Sequence, residues 1–323
     1  MSIHILGTGS IGCFIGAVLK THKSKVTLLL RSPAHVTDFA NRNNTITYRR
    51  QDKVYQVEGY NSVLIGDPED TSPITSLVVA TKAHHTLKAL SPVASRLSSN
   101  STILLLQNGM GVAEELVENF WPNGKSPNIL VGVNRHAVER LNPYDVRHYS
   151  GFDDPDALNI GQLPLPEQPS KPNSDLIDAM LSIPEFNTKS LSWSEMRVKM
   201  LKKLIVNACI NPVASVLMDR NKSVLTKGGT ALMTLICEEA FNVLKDDLPG
   251  ETLESLMEMV LDIAKDAGEN NCSTLQDIHG HRLTEIDYLN GYLCKLGKQK
   301  GINTTANQAL VDLIHAKEEL YQT

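Results

Sequence analysis

The pattern of apolar and polar positions changes character once along the chain. Up to about residue 190, short runs rich in Ile, Val and Leu alternate with stretches in which apolar residues recur every three or four positions. The runs read as buried strands and the spaced stretches as amphipathic helices, and their alternation predicts an α/β domain built on a parallel sheet. Strands are expected over 3–6, 25–30, 77–80 and 103–106, and helices over 10–20, 82–97 and 112–120. The segment 144–174 is rich in Pro, Asp and Gly, and its runs 146–149 and 158–160 read as short strands at the sheet's edge. From residue 194 strand patterns cease, and helical spacing runs through 195–217, 229–246, 253–269, 285–300 and 305–320. The chain therefore divides into an α/β domain over 1–193 and an all-helical domain over 194–323.

The first expected strand runs directly into Gly7, Thr8, Gly9, Ser10, Ile11 and Gly12. A strand, a G-x-G-x-x-G turn and a helix in that order form a dinucleotide-binding unit. The first glycine makes the tight turn, the second lets backbone approach a pyrophosphate, and the third lets helix and strand pack closely. All six residues are candidate cofactor contacts, and the first domain is read as a Rossmann-type doubly wound fold. Where the second strand ends, NAD-binding proteins usually carry Asp or Glu for the ribose hydroxyls, whereas this chain has Arg31 and Ser32. A guanidinium pairs with a 2′-phosphate that a carboxylate would repel, so the cofactor is expected to be NADPH/NADP+.

Composition narrows the alternatives. The 323 residues are 41% hydrophobic and 21% charged with a formal net charge of −5, the profile of a globular protein. Lysines and arginines are scattered, so no nucleic-acid partner is expected, and consecutive apolar runs are far too short to imply a membrane partner. The N-terminus passes straight into a strand with no targeting segment, and a cytoplasmic protein is expected. Five widely spaced cysteines without a C-x-x-C pair indicate reduced thiols, with no disulfide framework and no metal site. Cys272 reads as a small core residue. His84 and His85 have no evident partner and read as solvent-exposed.

In the helical domain Lys203, Asn207 and Asn211 recur every four residues, which sets them on one face of a helix. Asn is a poor helix former, so two of them among Ile205, Val206 and Ile210 suggest a lined cleft. Pro212 removes an N–H and is expected to bend the helix there. Four separated motifs then appear in order. They are Gly7 to Gly12; Gln107, Asn108, Gly109, Met110 and Gly111; Lys203, Asn207, Asn211 and Pro212; and Ser273 to Asp277, leading on to Thr284, Glu285, Ile286, Asp287, Tyr288, Asn290 and Gly291. Through these motifs the chain resembles the ketopantoate reductase family over nearly its whole length.

The resemblance implies reduction of a 2-oxo acid, 2-dehydropantoate (ketopantoate) to pantoate, by hydride from NADPH. It implies Lys203 as proton donor to the ketone oxygen, and Asn207, Asn211, Asn221 and Ser273, with Lys203, as substrate contacts. Arg31, Lys82, Asn108 and, through its backbone, Val138 match cofactor contacts. Glu285 matches a catalytic glutamate between ribose and substrate. The chemistry stands on its own terms: hydride addition places negative charge on oxygen, which needs an acid or cation there and donors for the carboxylate. Asn108, after a strand, sits at the edge where doubly wound folds bind ligands. Two other readings of the same residues remain, a reductase of another small 2-oxo or β-hydroxy acid and an NADPH-binding sensor without turnover. The protein is expected to be a monomer or homodimer. The Pro-rich stretch 163–172 departs from compact family members.

Overall fold

The structure, a computed structural model, describes residues 2–165 and 174–321. Most of the Pro-rich stretch 163–172 lies outside the described residues. The chain forms two compact units, Met1–Gln107 with Val112–Met196, and Asn108–Gly111 with Arg197–Thr323.

In the first unit β1 (Ser2–Leu6), α1 (Ser10–Thr21) and β2 (Lys25–Leu30) are followed by α2 (Pro33–Asn41) and the strands β3 (Ile46–Arg50), β4 (Lys53–Val57) and β5 (Asn61–Leu64). Next come β6 (Ser76–Val79), α3 (Ala83–Leu90), β7 (Thr102–Leu105) and α4 (Val112–Phe120), then β8 (Asn128–Asn134), β9 (Ala137–Asn142), β10 (Asp145–Ser150), β11 (Leu158–Gln162), α5 (Ser174–Ser182) and β12 (Thr188–Ser190). The main sheet has eight strands in the order β12-β11-β8-β7-β6-β1-β2-β5. β1 pairs in parallel with both β2 and β6, so successive strands step outward to opposite sides from the β1/β6 boundary. That boundary is the topological switch point at which Rossmann-type sheets bind ligands. β11 runs antiparallel to β8 and lies beside the edge strand β12.

The expectation for 146–149 needs correcting. β10 is an interior strand of a second, four-stranded sheet, β4-β3-β10-β9, and is not an edge of the main sheet. This small sheet covers α1, whose Phe14 packs on His136, His148 and Phe186. The core joins Ile5, Phe14, Leu28, Leu30 and Phe39, all essentially inaccessible.

The second unit contains α6 (Trp193–Leu217, from Arg197 on), α7 (Lys227–Leu244), α8 (Leu253–Asp266), α9 (Ser273–His279), α10 (Asn290–Lys300) and α11 (Thr305–Glu319). Among the described residues α6 is the helix long and apolar enough to cross a membrane, and it is mostly buried, the pattern of a core helix. Consecutive apolar runs miss it because Lys202 and Lys203 interrupt them. α6 runs unbroken through Pro212. Pro212 offers no N–H to the carbonyl of Ala208, and that carbonyl instead accepts from Asn290 Nδ2 at 3.1 Å. Asn290 also donates to Asn307 Oδ1 at 3.0 Å, and Asn307 Nδ2 donates to Glu239 Oε2 at 2.8 Å. The break in the helix ladder is thus mended from α10 and α11 by side chains that are fully buried.

Candidate active site

The glycine loop meets the stereochemical demands of its motif. Gly7 has φ of +100°, and a Cβ there would lie 2.8 Å from the carbonyl carbon of Ala80 and the amide nitrogen of Thr81. A Cβ on Gly12 would sit 1.8 Å from the carbonyl oxygen of Gly7, so helix and loop close only on glycine. Around Gly9 no atom lies within 4 Å of where a Cβ would be. Gly9 precedes α1 in an extended conformation, and no side chain caps that helix or places an acid in its first turn. The amides of the first turn, including those of Ser10 and Ile11, are therefore left to an anion.

Arg31 follows β2 directly, with its side chain exposed. Ser32 caps α2, accepting from the backbone N–H of His35 at 3.4 Å, and Arg31 Nε donates to His35 Nε2 at 2.9 Å. At the C-terminal ends of β6 and β7, Gln107 Nε2 donates to Thr86 Oγ1 at 3.1 Å, and Thr86 lies 2.8 Å from Thr81 Oγ1. Gln107 Oε1 is buried with no hydrogen-bond partner, an acceptor at the ligand edge of the sheet. Lys82 holds the N-cap position of α3 without a side-chain capping bond, and its carbonyl accepts from Thr86 Oγ1 at 3.0 Å. Val138 lies on β9, an edge strand with only β10 as neighbour, so one side of its backbone is outside the ladder. An open cradle at Gly9, an arginine beyond β2 and an orphaned acceptor at Gln107 fit a phosphorylated dinucleotide.

In the second unit Lys203, Asn207 and Asn211 share a face of α6, the two former half-buried and Asn211 buried. The carbonyl of Asn211 accepts from Cys272 Sγ at 3.5 Å, and Cys272 Sγ in turn accepts from the backbone N–H of Leu275. Cys272 is thus more than a core residue: it caps α9 and fixes Ser273, the first residue of that helix, relative to Asn211. Asn221 is buried, and its Nδ2 donates to the carbonyl of Ala267 at 3.1 Å, which leaves Oδ1 buried without a partner. Glu285 is 5% exposed and precedes a short 3-10 turn that its side chain does not cap. Asn108 belongs to a loop seated on this turn. Met110 N–H donates to the carbonyl of Tyr288 at 2.9 Å, and a Cβ on Gly109 would meet the same carbonyl at 2.4 Å.

Sequence reasoning left out His35, Thr81 and Thr86, and named Ser32 and Gln107 without giving either a role at the site. The Ser32-Pro33 pair is a helix-start signal that places His35 in the first turn, so part of this was readable. The exposure expected of both His84 and His85 holds only for His85. His84 is half-buried, with its ring 4.1 Å from that of His85.

A Rossmann-type sheet with an open glycine cradle, followed by a helical unit bearing a lysine and amides on one helix face, defines a dinucleotide-dependent oxidoreductase. Residues 3–164 match the family model Ketopantoate reductase PanE/ApbA, and residues 195–318 match the model for its C-terminal domain. The chain belongs to the ketopantoate reductase family. It is 29% identical to a probable 2-dehydropantoate 2-reductase of Schizosaccharomyces pombe, covering 98% of this chain and 96% of that one. It is 30% identical to 2-dehydropantoate 2-reductase of Bacillus subtilis, with 98% of both covered. Among solved structures, it overlays a PanE/ApbA family ketopantoate reductase from Ralstonia eutropha JMP134 with a TM-score of 0.81 at 23% identity, covering all of both chains. D-mandelate dehydrogenase with NADH and anilino(oxo)acetate overlays with a TM-score of 0.82 at 22% identity, also over all of both chains.

Proposed function

We propose that this chain reduces 2-dehydropantoate to pantoate with NADPH. The reading rests on the presence, in one chain, of an open Gly7 to Gly12 cradle with Arg31 beyond β2 and of Lys203, Asn207 and Asn211 on one face of α6. NADPH, when bound, supplies the hydride that converts the 2-oxo carbon to a secondary alcohol. The α1 amides and Gly9 bind the pyrophosphate, Arg31 binds the 2′-phosphate, and Lys82, Asn108 and the Val138 backbone hold the rest of the dinucleotide. Lys203 donates its proton to the ketone oxygen as negative charge develops there. Asn207, Asn211, Asn221 and Ser273 bind the carboxylate and hydroxyl groups without adding charge, and Asn221 Oδ1 is already free to accept. Glu285, a carboxylate held out of water, orients substrate and ribose. The protein works in the cytoplasm, as a monomer or a homodimer; a dimeric ketopantoate reductase from Staphylococcus aureus is among its structural likenesses, with a TM-score of 0.76 at 14% identity.

Isotope transfer tests the reaction class. With NADPH deuterated at the hydride-donating carbon, pantoate bearing one deuterium at its hydroxyl carbon is expected, in a one-to-one ratio with NADP+ formed. A protein that binds NADPH tightly and never consumes it in the presence of 2-dehydropantoate is a sensor, and the reading is wrong.

A further inference from the structure

We propose that His35 is a positioning residue for cofactor choice: its imidazole holds the Arg31 guanidinium in the orientation that receives a 2′-phosphate. The inference rests on the reading of Arg31 as the 2′-phosphate ligand. An arginine guanidinium only donates hydrogen bonds, so the 2.9 Å contact from Arg31 Nε requires His35 Nε2 to be an unprotonated acceptor. The ring's remaining proton is then on Nδ1, which lies 2.7 Å from Ser32 Oγ and donates to it. Ser32 Oγ also accepts from the His35 backbone N–H, so the hydroxyl's own proton is left to point outward. One tautomer satisfies all three groups. It leaves Ser32 a donor and leaves both terminal nitrogens of the guanidinium, the fork suited to phosphate, unused by this cluster.

The clamp is itself anchored. The carbonyl of His35 accepts from the Tyr144 hydroxyl at 3.3 Å, and Tyr144 is buried with its ring 4.6 Å from that of Phe39. Burial and the adjacent Arg31 charge lower the His35 pKa, with Asp38 opposing, and keep the ring in the neutral form that accepts. An exposed arginine has many rotamers, and fixing one in the free protein removes an ordering cost that binding would otherwise meet. NADH lacks the phosphate, so the clamp has nothing to offer it.

Equilibrium titration of NADPH and NADH by nucleotide fluorescence, on the full chain and its Arg31→Ala, His35→Ala, His35→Gln and doubly substituted variants, tests this. Arg31→Ala is expected to weaken NADPH binding by about 10-fold or more with NADH little changed. His35→Ala should weaken NADPH by about 3- to 10-fold and leave NADH unchanged, with no further loss in the Arg31→Ala background, the signature of two groups acting as one. His35→Gln, whose amide oxygen can still accept from Arg31 Nε, should recover part of the loss. Unaltered or tighter NADPH binding by His35→Ala, an equal loss for NADH, or the same loss without Arg31 overturns the clamp while leaving the Arg31 reading in place. NADPH binding untouched by Arg31→Ala overturns both.

Discussion

Lys202 and Lys203 are adjacent in sequence and have different surroundings. Lys202 Nζ lies 2.7 Å from Glu251 Oε1, and the hydrogen bond from Lys202 holds the Glu251 carboxyl below its usual range despite partial burial. Lys203, one residue on, turns about 100° around the helix to the face it shares with Asn207 and Asn211. Lys203→Ala is expected to lower kcat by ~10²–10⁴ while NADPH affinity survives, because the charge matters most as the oxyanion forms. Lys203→Arg should not restore the rate, since a guanidinium does not readily release a proton. Lys202→Ala should keep kcat and cost at most ~1 kcal/mol of stability, the scale of a partly exposed ion pair. Steady-state rates with parallel binding titrations check all three; near-normal kcat for Lys203→Ala removes the lysine from the chemistry. Arg31→Asp should erode the preference for NADPH over NADH by ~10-fold or more, measured as the ratio of Kd values. At this scale the glycine loop was legible because its demands are local. The roles of Cys272 and His35 were not: the carbonyl Cys272 reaches lies at Asn211, far off in sequence, and the His35 contact depends on a rotamer.

Elements carry their own consequences. The face of α6 is held in register across Pro212 by Asn290, a residue the motif contains and sequence reading left without a task. Asn290→Ala should cost ~1–3 kcal/mol by stranding the Ala208 carbonyl and Asn307 Oδ1 in a buried setting. In a Pro212→Ala background the cost should shrink, because the substituted alanine regains a backbone N–H that can serve that carbonyl; equal melting-point losses in both backgrounds would exclude the repair. Under α1, Tyr48 Oη lies 2.8 Å from His148 Nδ1, His148 Nε2 lies 2.9 Å from the carbonyl of Ser150 and 3.1 Å from His136 Nδ1, and His136 Nε2 lies 2.9 Å from the carbonyl of Phe186. With both rings neutral, the Tyr48 hydroxyl donates to His148 Nδ1 and the Nε2–H groups of His148 and His136 serve the carbonyls of Ser150 and Phe186. Burial lowers both pKa values, and His136 adds to the effect on His148, bringing it to about 4. A depressed folded-state pKa gives stability that is full above the ordinary histidine value of 6.5 and lost as pH falls toward about 4. The melting temperature should therefore drop across that window, and His148→Phe should flatten the slope; an unchanged slope removes this pair as its source. In the second unit α6, α7, α8 and α11 were readable from period, as were β1, β2, β6, β7 and α4; α9 was missed, and the expected helix 285–300 is a short 3-10 turn followed by α10.

At the scale of the molecule, the alternation of strand and helix gave the main sheet, while the small sheet escaped detection. β3 and β4 present Arg49, Arg50, Lys53 and Gln56 between their apolar residues, and their tight turn uses Gln51 at φ +51° where a glycine would have announced it. Substrate choice is likewise not a property of the fold, since ketopantoate reductase and D-mandelate dehydrogenase overlay this chain equally well. The deciding measurement is kcat/KM with NADPH for 2-dehydropantoate against phenyl-2-oxoacetate and a series of smaller 2-oxo acids. The account predicts 2-dehydropantoate ahead by at least ~10²-fold, because each missing substrate hydroxyl leaves a buried amide such as that of Asn221 unpaired. A higher kcat/KM for phenyl-2-oxoacetate, or for any 2-oxo acid without that hydroxyl, contradicts it.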